Sequence, residues 1–114
     1  MNSFILKTSS SYGAVAMLQT LVRSGLRFKK LELDVKSHVT DSENPEDWPV
    51  KFTCESDDPE NQQCLVFIQM LTCGYAGKGP YDLFNVLKLT GFDDFLSEDE
   101  IYTKKHISAM YEKF

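Results

Sequence analysis

No apolar run in the chain approaches the roughly 20 residues that a membrane-spanning helix needs. Its opening residues, Met1 to Ser10, have neither the basic start nor the apolar core of a secretory leader. A membrane partner is therefore not expected, and the cytoplasm is the expected location. Cysteine is scarce and odd in number, with Cys54, Cys64 and Cys73 spread along the chain. Their spacing departs from the close Cys-x₂₋₄-Cys pairing of structural zinc sites, and three cysteines argue against a secreted disulfide framework. Buried, reduced thiols are expected, with neither a metal nor a cofactor.

Positive charge is also in deficit. Lys and Arg number 12 against 17 Asp and Glu, a formal net charge of -5. That balance disfavours direct, non-specific attraction to nucleic acid or to an anionic membrane, and a basic protein surface is the better electrostatic match. What the chain does have is globular composition: 114 residues, 42% hydrophobic and 12% aromatic. This is enough for a single domain over 1–114 with one core, and too little for two.

The hydrophobic spacing sets out the elements. Phe4 to Leu6 is a short apolar run suited to an edge strand, and the serines Ser9 to Ser11 can cap the helix that follows. Ala14, Met17, Leu18, Leu21 and Val22 recur at helical spacing up to Gly25. From Phe28 to Val39 the period changes to two, with Leu31, Leu33 and Val35 alternating with charged residues, and the same alternation returns at Val50, Phe52 and Cys54. Cys64 to Leu71 reads as a strand buried on both faces. A helix beginning near Pro80 carries Leu83, Phe84 and Leu87 on one face and stops at Gly91-Phe92. Ser97 and Glu100 form a capping box for a last helix, whose apolar stripe would be Ile107, Met110, Tyr111 and Phe114. The expected fold is α+β: a small antiparallel sheet of three to four strands with helices on one face, in the order β-α-β-β-β-α-α.

Two stretches invite a functional reading. The first is the loop Gly74-Tyr75-Ala76-Gly77-Lys78-Gly79-Pro80, which leads into a helix N-terminus where backbone amides and Lys78 could face an anion. Pro80 removes one donor, and no Gly-Lys-Ser/Thr follows, so Walker-type hydrolysis is excluded. Gly74-Tyr75, Gly77, Gly79-Pro80, Leu83 and Leu87 resemble the Gly-Tyr-Gly-Gly-x-Gly-Pro-x-x-Leu-x-x-x-Leu segment of small uncharacterised bacterial, plasmid and phage proteins, with Ala76 in place of a glycine. The resemblance implies a strand-loop-helix arrangement and a mobile-element origin, and it carries no activity. A tight turn that lets the helix pack on the sheet is the simpler reading of the same glycines.

The second stretch is acidic. Between Asp41 and Glu60 lie Asp41, Glu43, Glu46, Asp47, Glu55, Asp57, Asp58 and Glu60 against one Lys51, with Trp48 set between Pro45 and Pro49. An exposed, solubilising turn region explains this most simply, while a docking surface for a basic protein is the sharper reading. Trp48 would then anchor the interface or, equally well, tuck under its own loop. Catalytic constellations are thin: Cys73 and His106, oriented by Asp93 or Asp94, are conceivable, but no spacing demands them. The sequence thus leads to a non-enzymatic, acidic interaction module. Its expected partner surface is Asp41, Glu43, Glu46, Asp47, Trp48, Asp57 and Asp58, of the kind a phage-encoded inhibitor would turn towards a basic host defence or nucleic-acid-handling protein. The alternative is a small-ligand binder holding a phosphate or signalling nucleotide at Gly74, Tyr75, Gly77, Lys78 and Gly79.

Overall fold

A computed structural model describes residues 2–39, 42–60 and 62–113. The elements run β1 (Asn2–Leu6), α1 (Ser11–Arg23), β2 (Arg27–Lys36), a single 3-10 turn (Pro45–Asp47), β3 (Val50–Glu55), β4 (Gln63–Ile68), α2 (Lys78–Thr90), α3 (Glu98–Thr103) and β5 (His106–Glu112). The α+β class is as expected, but the sheet is larger and mixed. It has five strands in the order β1-β4-β3-β2-β5, with β1 parallel to β4 and every other pairing antiparallel.

The centre of the sheet follows directly from the period-two patterns. In β2, β3 and β4 the register sets Leu31 opposite Phe52 and Phe52 opposite Val66, so one face of the meander is continuous hydrocarbon. That face and the apolar stripes of α1 and α2, including Ala14, Leu18, Leu83, Val86 and Leu87, form one core. Phe52 sits fully buried within it, 5.0 Å from the Phe28 ring in an edge-on contact and 5.8 Å from that of Phe92. The opposite face alternates Lys30, Glu32 and Asp34 along β2, with Glu32 accepting ion pairs from Lys30 at 3.4 Å and from Lys51 at 3.6 Å.

The local signals at the helix ends act as their chemistry dictates. The Ser10 hydroxyl accepts the Gly13 amide at the start of α1. Gly91 closes α2 in the left-handed conformation, and the Phe92 amide then donates to the Leu87 carbonyl at 2.9 Å. The capping box of Ser97 and Glu100 is present, but its helix lasts only six residues.

The last element is where expectation and structure part. His106–Glu112 is strand β5, which pairs with β2 from Lys36↔His106 to Lys30↔Glu112. The residues after Thr103 also carry a period of two, with Ile107, Ala109 and Tyr111 on the core side. The open edge of β2 supplied the partner that decided between the two periods. Phe114, expected in a helical stripe, lies outside the described residues. Met17, expected in the core, is 38% exposed, and Val15 takes the buried position instead. Among the described residues no helix is long and apolar enough to cross a membrane.

Candidate functional site

The acidic stretch resolves into two separate turns, one before β3 and one after it. Six strand residues lie between them, which is roughly 20 Å at the usual rise per residue. Asp41 lies outside the described residues.

In the first turn, the Asn44 side chain accepts the Glu46 amide and starts the 3-10 turn, with Pro45 in its first position. The Ser42 hydroxyl donates to the Asp47 carboxylate at 2.9 Å, and the Trp48 indole N–H donates to the Ser42 carbonyl at 3.0 Å. Trp48 is only 5% exposed. Its assignment as a partner-contacting anchor is therefore corrected: the ring is buried beneath its own turn, and its one polar atom is satisfied there. Glu43, Glu46 and Asp47 remain exposed on the outside. Glu43 meets Lys7 at 2.9 Å, and Glu46 meets Lys51 at 4.0 Å. The Lys7 ammonium holds the Glu43 carboxyl below the usual carboxylate range, through its hydrogen bond first and its charge second.

Among its described residues the second turn has no buried keystone. Asp57, Asp58, Pro59 and Glu60 are all exposed, and the turn is shaped by Ser56 accepting the Asp58 amide and Asp58 accepting the Glu60 amide. Asp57 pairs with Arg27 at 2.7 Å, and Glu55 approaches the same guanidinium at 3.9 Å. Asp57 and Asp58 are thus not brought together with Glu43, Glu46 and Asp47 into one surface.

The glycine loop is explained by packing. Gly74 has φ +83°, and a Cβ there would meet the Lys104 carbonyl oxygen at 2.8 Å and the Lys105 Cα at 3.0 Å. Its amide donates to the Ile101 carbonyl at 2.7 Å. This glycine lets the loop run against the turn between α3 and β5. Tyr75 folds back over Gly77, and its hydroxyl meets the Thr72 hydroxyl at 2.6 Å. A side chain at Gly79 would strike both of those hydroxyl-bearing groups. Lys78 does not reach into the loop but turns to Asp82 at 3.2 Å, its ammonium lying 5.4 Å from the Tyr12 ring centre and 5.0 Å from that of Tyr81. The five residues expected to hold a phosphate are adjacent: Gly74 and Gly79 pack closely against their own chain, while Tyr75 and Lys78 remain exposed.

Asp82 is a buried charge that sequence reasoning missed. It is 1% exposed and accepts the Ser11 hydroxyl at 2.6 Å, placing a carboxylate from α2 at the N-terminus of α1. The first turn of α1 contains no acid of its own, so Asp82 complements that helix's dipole from across the groove. Seventy-one residues separate the two partners, and no local spacing could have revealed the pair.

The remaining reactive side chains His106 and Cys73 each have a partner on β2. His106 Nε2 lies 2.6 Å from an Asp34 carboxylate oxygen on the sheet edge, while the Cys73 thiol donates to the Val35 carbonyl at 3.4 Å. Burial pushes the Cys73 thiol up, and it pushes Cys54 up to about 12, helped by Cys64 directly across the ladder. High thiol pKa values of this kind oppose nucleophilic use. Asp34, His38 and Asp47 share a cavity of about 30 Å³, room for about one water. Met70 beside them takes the left-handed conformation at φ 72°. Among the described residues, no group of three or more His, Cys, Asp or Glu is placed to hold a metal ion. Compared with known proteins, this chain matches no family model, no curated protein and no solved structure.

Proposed function

We propose that the protein is a non-catalytic interaction module that grips a basic protein surface with the turn before β3, through Glu43, Glu46 and Asp47. The observation that carries this reading is the construction of that turn: a buried Trp48, an Asn44 cap and a Ser42 bridge hold three exposed carboxylates in place. Preorganised charges lose little conformational freedom on binding, which is where much of the cost of association lies. The intramolecular pairs to Lys7 and Lys51 are solvent-screened surface pairs, so a partner's cations can replace them. Raised thiol pKa values support a role without covalent catalysis. Inhibition of a host protein by a phage-encoded chain would use this same surface, because a nucleic-acid-binding groove is itself basic.

The experiment is affinity capture with three baits: the wild-type chain, Glu43→Lys/Glu46→Lys/Asp47→Lys, and Asp57→Lys/Asp58→Lys. The reading expects a partner that elutes with rising salt, is lost by the first variant and is kept by the second. Equal capture by all three baits would overturn it.

A further inference from the structure

One surface cleft of this acidic chain is lined by charged residues of positive sign only. On a chain of net charge -5, a cleft of about 350 Å³ opens where α1 and α2 end beside the start of β2 and the close of β5. Its floor is apolar, from Val22, Leu26 and Leu89, and its rim is cationic, from Arg27, Lys29 and Lys113.

Two features of the backbone press the lysines together. The pairing of β2 with β3 slips between Phe28 and Lys30, with Phe28 opposite Cys54 and Lys30 opposite Thr53, so Lys29 is the extra residue of a β-bulge. Bulges re-aim a side chain and are over-represented beside functional sites. On the other side, the Lys113 amide donates to the Lys29 carbonyl at 2.9 Å, which fixes the two residues beside each other at one end of the β2–β5 ladder. The Lys113 ammonium donates to the Thr90 carbonyl at 2.6 Å and lies 4.5 Å above the Phe92 ring. Burial first, and the Lys29 charge second, lower the pKa of that ammonium.

A purely structural role accounts for only part of this charge. Each helix C-terminus carries about half a negative charge, and the last turns of α1 and α2 already contain Arg23 and Lys88. Lys113 caps α2 as well, and Lys29 is in excess of both. Among the described residues, ion pairs engage Arg27 with Asp57 and Glu55 but do not include Lys29 or Lys113.

We propose that this cleft binds a small amphipathic anion, a carboxylate or phosphate carried on an apolar body, with Lys29 and Lys113 holding the head group and the Val22, Leu26 and Leu89 floor taking the body. An anion between the ammonium groups would relieve their mutual repulsion, and the floor would reward hydrocarbon over a bare ion. This site is independent of the acidic turn, so either can stand without the other.

The test is a titration of the whole chain, followed by NMR, with decyl phosphate, decanoate, decanol and inorganic phosphate, all below micelle-forming concentration. Saturable shifts centred on Lys29, Thr90 and Lys113 are expected with decyl phosphate or decanoate, and the tighter of the two identifies the head group. Decanol and inorganic phosphate should each bind at least about tenfold more weakly, the loss expected when a charge-assisted contact or the apolar contact is removed. Lys29→Gln alone leaves the Lys113 cap on α2 in place and should weaken the better ligand by about tenfold without changing the melting temperature. Absence of saturable shifts, equal binding of decanol, or an unchanged affinity in Lys29→Gln would overturn the assignment.

Discussion

The two turns that flank β3 are alike in charge and different in construction. The one before the strand is folded over Trp48, whose indole is buried and hydrogen-bonded to Ser42. The one after it has only exposed residues from Asp57 to Glu60 and is shaped by two side-chain-to-amide bonds and by the Ser56 amide donating to the Gln62 carbonyl at 2.9 Å. The carboxylates of the first sit over a buried indole, whereas those of the second sit on exposed backbone, with Asp57 paired to Arg27 across the fold. Acidic composition alone therefore does not mark a binding surface. What distinguishes one turn from the other is whether the backbone beneath the charge is fixed before a partner arrives.

The difference can be broken most severely at its keystone. Trp48→Ala should lower stability by about 3–5 kcal/mol in urea unfolding, as expected for a buried aromatic, while Asp57→Ala should change it by about 1 kcal/mol or less. Equal, small effects of the two substitutions would show that the first turn is no better anchored than the second.

Asp82 sharpens the contrast as a carboxylate without solvent. Asp82→Ala removes the Ser11 and Lys78 contacts together and should destabilise the chain by about 1.5–3 kcal/mol, read in the same unfolding assay. Glu43→Gln, on a solvent-screened surface pair, should cost clearly less than Asp82→Ala in the same assay.

Much of this arrangement was legible in the sequence, for local reasons. The alternation of Leu31, Leu33 and Val35 announced β2, and Gly91-Phe92 announced the stop of α2, because both signals act within a few residues. Ser97 and Glu100 announced a helix start but said nothing of its length, and the open edge of β2 then drew His106–Glu112 into strand pairing. The acidic stretch looked like one arm because a line of sequence does not show that β3 holds its halves apart. The Asp82–Ser11 pair and the Lys29–Lys113 neighbourhood were invisible for a related reason, since both are made by elements far apart in the chain.

Two smaller effects refine the comparison further. In Lys7→Ala the Glu43 carboxyl should titrate closer to the ordinary carboxylate value, followed by its side-chain carbon resonance. Because the folded-state value is the lower one, whatever the pair adds is present above the ordinary pKa and fades as pH falls through the lowered value. Thiol labelling near neutral pH should be slow for Cys54, whose pKa stands at about 12, and should become fast only in denaturant. Rapid native labelling of Cys54 would mean that the core beneath the second turn opens far more readily than its packing implies.

Site-specific photo-crosslinking tests the proposed interface. One crosslinking residue would replace Val39, which lines the same small cavity as Asp47, and another would replace Pro59 in the second turn. The acidic-turn account predicts a protein adduct from position 39, lost on reversing Glu43, Glu46 and Asp47, and none from position 59. An adduct from position 59 alone, or one from position 39 that survives the charge reversal, would contradict it.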